Sequence, residues 1–154
     1  MLGVDSTLGA YNHWVYRSRI PLRYRNDLER LFFFHPEQAR HRERIELAVE
    51  RYSVPTIHIA GDTVALSFQK KGIGQALHLL SDAGPDARLL GALLYVRDEP
   101  QRISLVHLAL RNAVRNRPEA VARLFSDLIA ILRRIRGVRE LFVFYSGTRL
   151  RVTR

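Results

Sequence analysis

The sequence predicts a mixed α/β (α+β) domain, a mixed central sheet flanked by helices, and three observations carry that expectation. Strand-length aliphatic runs at 89–96, 103–110 and 141–145 are interrupted by one long amphipathic pattern over 118–135. Two shorter helical patterns occupy the first third of the chain. The length, 154 residues, suits one hydrophobic core, so 1–154 is read as a single domain.

Residues 1–18 show no clean period, but Tyr11, Trp14, Val15 and Tyr16 are too aromatic for a free tail and are expected to pack against the domain or a partner. A short strand is expected at 20–24. Asn26 followed by Glu29 has the spacing of a capping box, which predicts a short helix through Phe34 with Leu28, Leu31 and Phe32 on its apolar stripe. The run Phe32-Phe33-Phe34 is expected to serve the core rather than to form a partner-binding patch. His35-Pro36-Glu37 restarts the chain, with Pro36 suited to a first helical position. Ile45, Ala48, Val49 and Tyr52 then recur at helical spacing towards Ser53, and Pro55 prevents continuation.

Residues 56–68 read as a hairpin turning at Gly61-Asp62. Residues 69–83 admit two readings, taken up below. Gly84-Pro85-Asp86 turns the chain into the 89–96 strand, and 98–101 turns it into the 103–110 strand. The 118–135 helix has Pro118 at its start and Val121, Leu124, Phe125, Leu128, Leu132 and Ile135 along one side. Gly137 stands at its stop. Leu141-Phe142-Val143-Phe144-Tyr145 is apolar throughout, as expected of a central strand covered on both faces.

Hydrophobic residues make up 47% and charged residues 26%, ordinary for a globular protein. The absence of cysteine excludes disulfides, thiol nucleophiles and thiolate metal sites. No apolar stretch approaches the roughly 20 residues of a membrane span, and the N-terminus lacks a signal-peptide pattern, so a cytoplasmic protein without a membrane partner is expected. The histidines at 13, 35, 41, 58, 78 and 107 show no ligand spacing, and no metal site is expected. Neither a Gly-x-Ser-x-Gly elbow nor a Walker motif is present. The formal net charge is +10, and every basic residue except Lys70 and Lys71 is arginine. Such a surplus attracts polyanions. Because the arginines are spread along the chain with no basic tail, nucleic-acid binding is an alternative reading rather than the leading one.

The order strand, tight turn, strand, loop, long helix, strand over 88–146 resembles the core of the GNAT acyltransferases. Residues 88–96, with Gly91 after two aliphatics, look like the strand of that family that carries a glycine. Residues 103–110 look like the next strand, which splays from its neighbour and pairs with the cofactor's pantetheine arm. The resemblance implies an acyl-CoA-dependent N-acyltransferase, an acetyltransferase if the acyl-CoA is acetyl-CoA, acting on an amine acceptor. It places Leu108 and Leu110 beside the pantetheine arm and Tyr145 where the family has the acid that protonates the departing thiolate. A half-buried strand end is the plainer role for Tyr145, and His107 is expected to be a satisfied core histidine. Asp98 and Glu99, read as turn residues, and Glu140 offer no evident base.

The family binds the diphosphate with a Gln/Arg-x-x-Gly-x-Gly/Ala loop whose backbone amides open a helix. Between the splayed strand and the helix this chain has residues 111–118, which contain no glycine but offer Arg111, Arg115 and Arg117 to phosphates. A match to the motif itself stands at Gln69-Lys70-Lys71-Gly72-Ile73-Gly74. It supports a second parse, in which Gln69, Gly72 and Gly74 bind the diphosphate and 72–82 is a helix. In the first parse 76–81 is instead a strand paired with 89–96. The family also continues with a further helix and two strands, whereas this chain reaches Arg154. Completion by a neighbouring subunit in a homodimer, or by the N-terminal hairpin, is expected. The alternatives to an active enzyme are a catalytically silent GNAT-like binding module and a small basic nucleic-acid-binding protein.

Overall fold

Alternate residues of an extended chain face opposite ways, and the long strands of this protein are apolar on both sides. In the computed structural model, which describes residues 13–33, 42–70 and 72–152, those strands lie in a sheet covered on both faces. Tyr11, Phe34, the restart at His35-Pro36-Glu37, Arg40, His41 and Lys71 lie outside the described residues.

The elements run β1 (Val15–Arg17), β2 (Ile20–Pro21), a 3-10 turn (Leu22–Tyr24), α1 (Arg25–Phe32), α2 (Arg42–Arg51), β3 (Pro55–Ala60), β4 (Thr63–Phe68), β5 (Gln75–Leu80), β6 (Leu89–Glu99) and β7 (Arg102–Leu110). They continue with α3 (Asn112–Arg115), α4 (Pro118–Leu132), β8 (Glu140–Val143) and β9 (Thr148–Arg151). Among the described residues the strands form a large sheet of order β1-β5-β6-β7-β8-β9 and a small one of order β2-β4-β3. Every pairing is antiparallel except β7 with β8, which α4 connects in parallel. The result is the expected mixed sheet flanked by helices.

Leu93, Ile103, Leu105, Leu141 and Val143 meet the α4 stripe of Ala120, Leu124, Leu128 and Leu132 on one face. The neighbouring Leu94, Val96 and Val106 point the other way, into a core shared with Leu28 and Phe32 of α1, Ala48 of α2 and Val64, Leu66 and Phe68 of β4. His78 stitches the two sheets together. Its Nδ1 lies 2.9 Å from the Arg17 carbonyl, to which it donates, and its Nε2 accepts the Leu66 N–H at 3.0 Å.

Several expectations are corrected. The strand expected at 20–24 ends at Pro21 and gives way to the 3-10 turn, which runs directly into α1. Asn26 therefore does not cap the helix. Tyr24 occupies the cap position without a side-chain bond, and Glu29 instead pairs with Arg25 at 3.2 Å. Residues 75–80 are strand, so the helix of the second parse does not form, and the first parse holds there. Pairing with β1 on one side and β6 on the other satisfies both edges of this short segment, which a three-turn helix ending at Gly84-Pro85 could not match. β8 is an inner strand, because β9 folds back outside it through a turn in which Gly147 has φ +70°, but only Leu141 and Val143 of it are buried, so it is not covered on both faces. Tyr145 falls in that turn, beyond the strand. The 56–68 hairpin does not complete the large sheet either. It pairs with Ile20 and Pro21 in a sheet of its own.

Candidate functional site

β7 and β8 lie in register from Arg102 opposite Glu140 to Leu105 opposite Val143, and a last bond runs from the Phe144 N–H to the Leu105 carbonyl at 3.0 Å. There they part. β8 turns back, its Val143 carbonyl accepting the N–H groups of Ser146 at 3.2 Å and Gly147 at 2.9 Å. β7 continues to Leu110, its described pairing from here on being with β6 alone. At the same level β7 carries a bulge. Leu94 faces His107 and Tyr95 faces Leu105, which leaves Val106 as the extra residue. A bulge turns the strand and frees a backbone group from the ladder, so the irregularity and the parting of the strands coincide.

Three of the residues singled out in the sequence, Leu108, Leu110 and Tyr145, border the same apolar cluster beneath α4, with Leu110 about 17 Å beyond Leu105 along β7. Burial pushes the Tyr145 phenol up to about 12, so at neutral pH it is a protonated O–H donor.

The arginines of 111–117 diverge. Arg111 is an anchor: its N–H bonds to the Leu90 carbonyl at 2.9 Å, its Nε to the Leu89 carbonyl, and its Nη2 stands 4.0 Å from Asp27 Oδ1. Arg115 is half-buried and donates to Asn112 Oδ1. Arg117 is exposed at the N-cap of α4, where its carbonyl accepts the N–H groups of Ala120 at 3.0 Å and Val121 at 3.1 Å.

Gln69, Gly72 and Gly74 are not brought to the arginines of 111–117. Their loop joins β4 to β5, with the Gln69 N–H bonded to the Val54 carbonyl at 2.8 Å and Gly72 turning the chain at φ +83°. No helix follows, so the loop lacks the amides that the diphosphate reading requires of it. Gly74 lies against Tyr95, whereas Arg111 lies against Leu89 and Leu90, about 17 Å away along β6 at the rise of a strand. Gly74 has a packing reason to be glycine. A Cβ there would sit 2.7 Å from the Tyr95 carbonyl oxygen and inside contact distance of the buried Phe68 ring. Gly74→Ala is expected to destabilise the protein by about 1–3 kcal/mol, the cost of overpacking, and urea denaturation against wild type checks this.

The sequence did not mark Asp98 as a centre. It lies in β6 rather than in the turn, and its Oδ2 accepts from the Ser104 hydroxyl at 2.8 Å, the Tyr52 hydroxyl at 3.1 Å and Arg102 Nη2 at 3.1 Å. Oδ1 accepts Arg102 Nε at 3.2 Å. Burial opposes the ionised carboxylate, but the bonds from Arg102 and Ser104 and the Arg102 charge outweigh it and hold the pKa low. Such a carboxylate is a poor base. The readable signal was Asp98, Arg102 and Ser104 facing one another across a two-residue turn. Tyr52 extends the group to the parted strands, since its ring meets Phe144 edge-on at 5.5 Å.

His107, next to the bulge, is the core histidine expected, but it is not satisfied. Its Nε2 is buried without a hydrogen-bond partner, between Phe32 at 5.9 Å and Phe68 at 6.0 Å. Among the described residues no three His, Asp or Glu side chains converge on a point where they could hold a metal, and no helix is long and apolar enough to cross a membrane. Compared with known proteins, the chain matches no family model, no curated protein and no solved structure.

Proposed function

We propose that the chain is a GNAT-like acyl-CoA-binding domain acting as an N-acyltransferase on an amine acceptor. The observation that carries this reading is the parting of β7 and β8 after Leu105, with the bulge at Val106 beside it. A strand whose outer edge is released at this point can pair with an extended, amide-bearing chain such as a pantetheine arm. Leu108 and Leu110 supply apolar contact, and Arg117 at the N-cap of α4 and Arg115 two residues before it offer charge where phosphates are favoured. The bound acyl-CoA supplies an activated thioester. The residue of this chain assigned to the chemistry is Tyr145, whose protonated phenol can donate to a leaving thiolate. With Asp98 held ionised by three donors, proton loss from the acceptor amine is assigned to water rather than to a carboxylate. That same observation favours, as a second reading, a catalytically silent form of the site.

Thermal unfolding with millimolar CoA and acetyl-CoA tests the binding. Saturation at a hundredfold excess over Kd is expected to stabilise the fold by about 2.7 kcal/mol, and Arg117→Gln is expected to lower the gain. Absence of any shift with either compound removes both readings. Thiol release from acetyl-CoA with an amine panel then separates them. If the domain is an enzyme, Tyr145→Phe keeps the shift and loses most of the release.

A further inference from the structure

At the β1 edge of the large sheet, opposite the β9 edge, the chain concentrates unbalanced charge. Arg17 and Arg19, two residues apart, and Arg23 of the 3-10 turn line a cleft of about 380 Å³, whose floor includes Tyr24, Leu80 and Pro85. Among the described residues no carboxylate lines it. The nearby Asp82 is turned towards its own loop, accepting the Gly84 N–H at 2.6 Å. The arginines are held in place by neutral partners. Arg19 donates to Thr63 Oγ1 at 2.8 Å and to the His58 carbonyl at 3.1 Å. Arg23 donates to the Tyr24 hydroxyl at 3.1 Å and to the Pro85 carbonyl, with its guanidinium 4.9 Å above the Tyr24 ring. Arg17 makes no side-chain bond among the described residues and is exposed. These bonds hold Arg19 and Arg23 without neutralising them, so three like charges stand around one concavity and raise its potential.

We infer that this cleft is a binding site for a small organic phosphate. Guanidinium forks match phosphate oxygens in geometry and charge. The apolar floor suits the remainder of the ligand, and the volume lies in the range of small-molecule sites. An anion there relieves the mutual repulsion of Arg17, Arg19 and Arg23, which water alone does not. The site is separate from the β7–β8 region and stands whether or not acyl-CoA binds there.

Isothermal titration of the full chain tests it, with inorganic phosphate, adenosine 5′-monophosphate, adenosine and a ten-nucleotide single strand lacking terminal phosphates as probes. The monophosphate is expected to bind, inorganic phosphate to compete with it, and adenosine to give no heat. Arg17→Gln, which removes no bond that holds the fold, is expected to weaken the monophosphate by about tenfold with an unchanged unfolding midpoint. Arg23→Gln is expected to weaken it at least as much, and Arg117→Gln to leave it unchanged. No binding of either phosphate probe at millimolar concentration overturns the inference. So does monophosphate binding that Arg17→Gln and Arg23→Gln leave within twofold. Tighter binding of the strand, steeply salt-dependent and indifferent to Arg17→Gln, also overturns it, because that behaviour belongs to a diffuse polyanion surface.

Discussion

Lowering the pH from 6.5 to 4 is expected to remove about 3 kcal/mol of stability through His107 alone. Burial between two aromatic rings holds its pKa down at about 4, against 6.5 for an ordinary histidine, and the Ser53 backbone offsets only part of that. Above pH 6.5 the ring is neutral in folded and unfolded chains alike, so it contributes no pH dependence. Between 6.5 and 4 the unfolded chain binds a proton that the folded chain does not, and each pH unit costs roughly 1.4 kcal/mol. Below 4 the folded ring also protonates and the loss levels off. His78 acts in the same direction. Its pKa is lowered by burial first and by the Arg19 charge, with the Arg17 carbonyl opposing, and a proton on Nε2 would face the Leu66 N–H that it now accepts.

Against a total stability of about 5–15 kcal/mol for a domain, this is a large fraction. Urea midpoints of wild type and His107→Leu at pH 7, 5.5 and 4 measure it. The variant is expected to lose the buried, unpartnered Nε2 and to show a profile flatter by about 3 kcal/mol across this window. An unchanged slope would show that His107 does not set the acid limit. Asp98 does not confuse the measurement, because its lowered pKa gives a contribution that fades chiefly as pH falls below the ordinary 3.8 and that wild type and His107→Leu share.

What was legible in the sequence follows from how local the determining physics is. The 89–96 and 103–110 runs read as strands because burial on both faces writes itself into a continuous aliphatic run, and Pro118 marks the start of α4 directly. The segment 69–83 was open to two readings because its glycines and the mixed Gln75–Leu80 sequence are decided by partners on β1 and β6. The five apolar residues from Leu141 suggested an inner strand covered on both faces. β8 is paired on both sides, but Phe142 sits beneath the Arg102 guanidinium at 5.3 Å and Phe144 meets Tyr52, so part of that apolarity serves half-buried contacts. The order of elements was enough to set Leu108, Leu110 and Tyr145 against one apolar cluster. It could not show Asp98, whose partner Tyr52 lies 46 residues away. Nor could it show the cleft of Arg17, Arg19 and Arg23, which the Pro85 turn closes from 62 residues beyond Arg23.

Asp98→Ala is expected to cost about 3 kcal/mol and to loosen the ground beside the parted strands. The substitution leaves a guanidinium whose side chain is only 16% exposed with the exposed Glu99 carboxylate at 3.4 Å as its remaining ion pair, and takes the shared acceptor from the fully buried Ser104 hydroxyl and the Tyr52 hydroxyl. Leaving donors unpaired costs more than the original bonds contribute, because the folded chain no longer offers what water offers the unfolded one. Asp98→Asn is expected to recover part of the loss, since one oxygen still accepts while the new amide faces donors. The double variant Asp98→Ala, Arg102→Met is expected to be more stable than Asp98→Ala alone, because it removes a charge that has lost its closest, buried partner. Chemical denaturation of the four proteins measures the coupling, and a loss below about 1 kcal/mol for Asp98→Ala, the size of an exposed pair, would mean that solvent already screens the group. A second consequence follows from the position of Tyr52. It sits at the end of α2, bonds Asp98 on β6 and packs on Phe144 just where β8 turns from β7. Releasing its hydroxyl frees α2 from the sheet, so amide exchange in 46–53 and 142–146 is expected to rise in Asp98→Ala well before global unfolding. Exchange that rises uniformly over the chain would place Asp98 in the general stability of the fold and not in the order of this region.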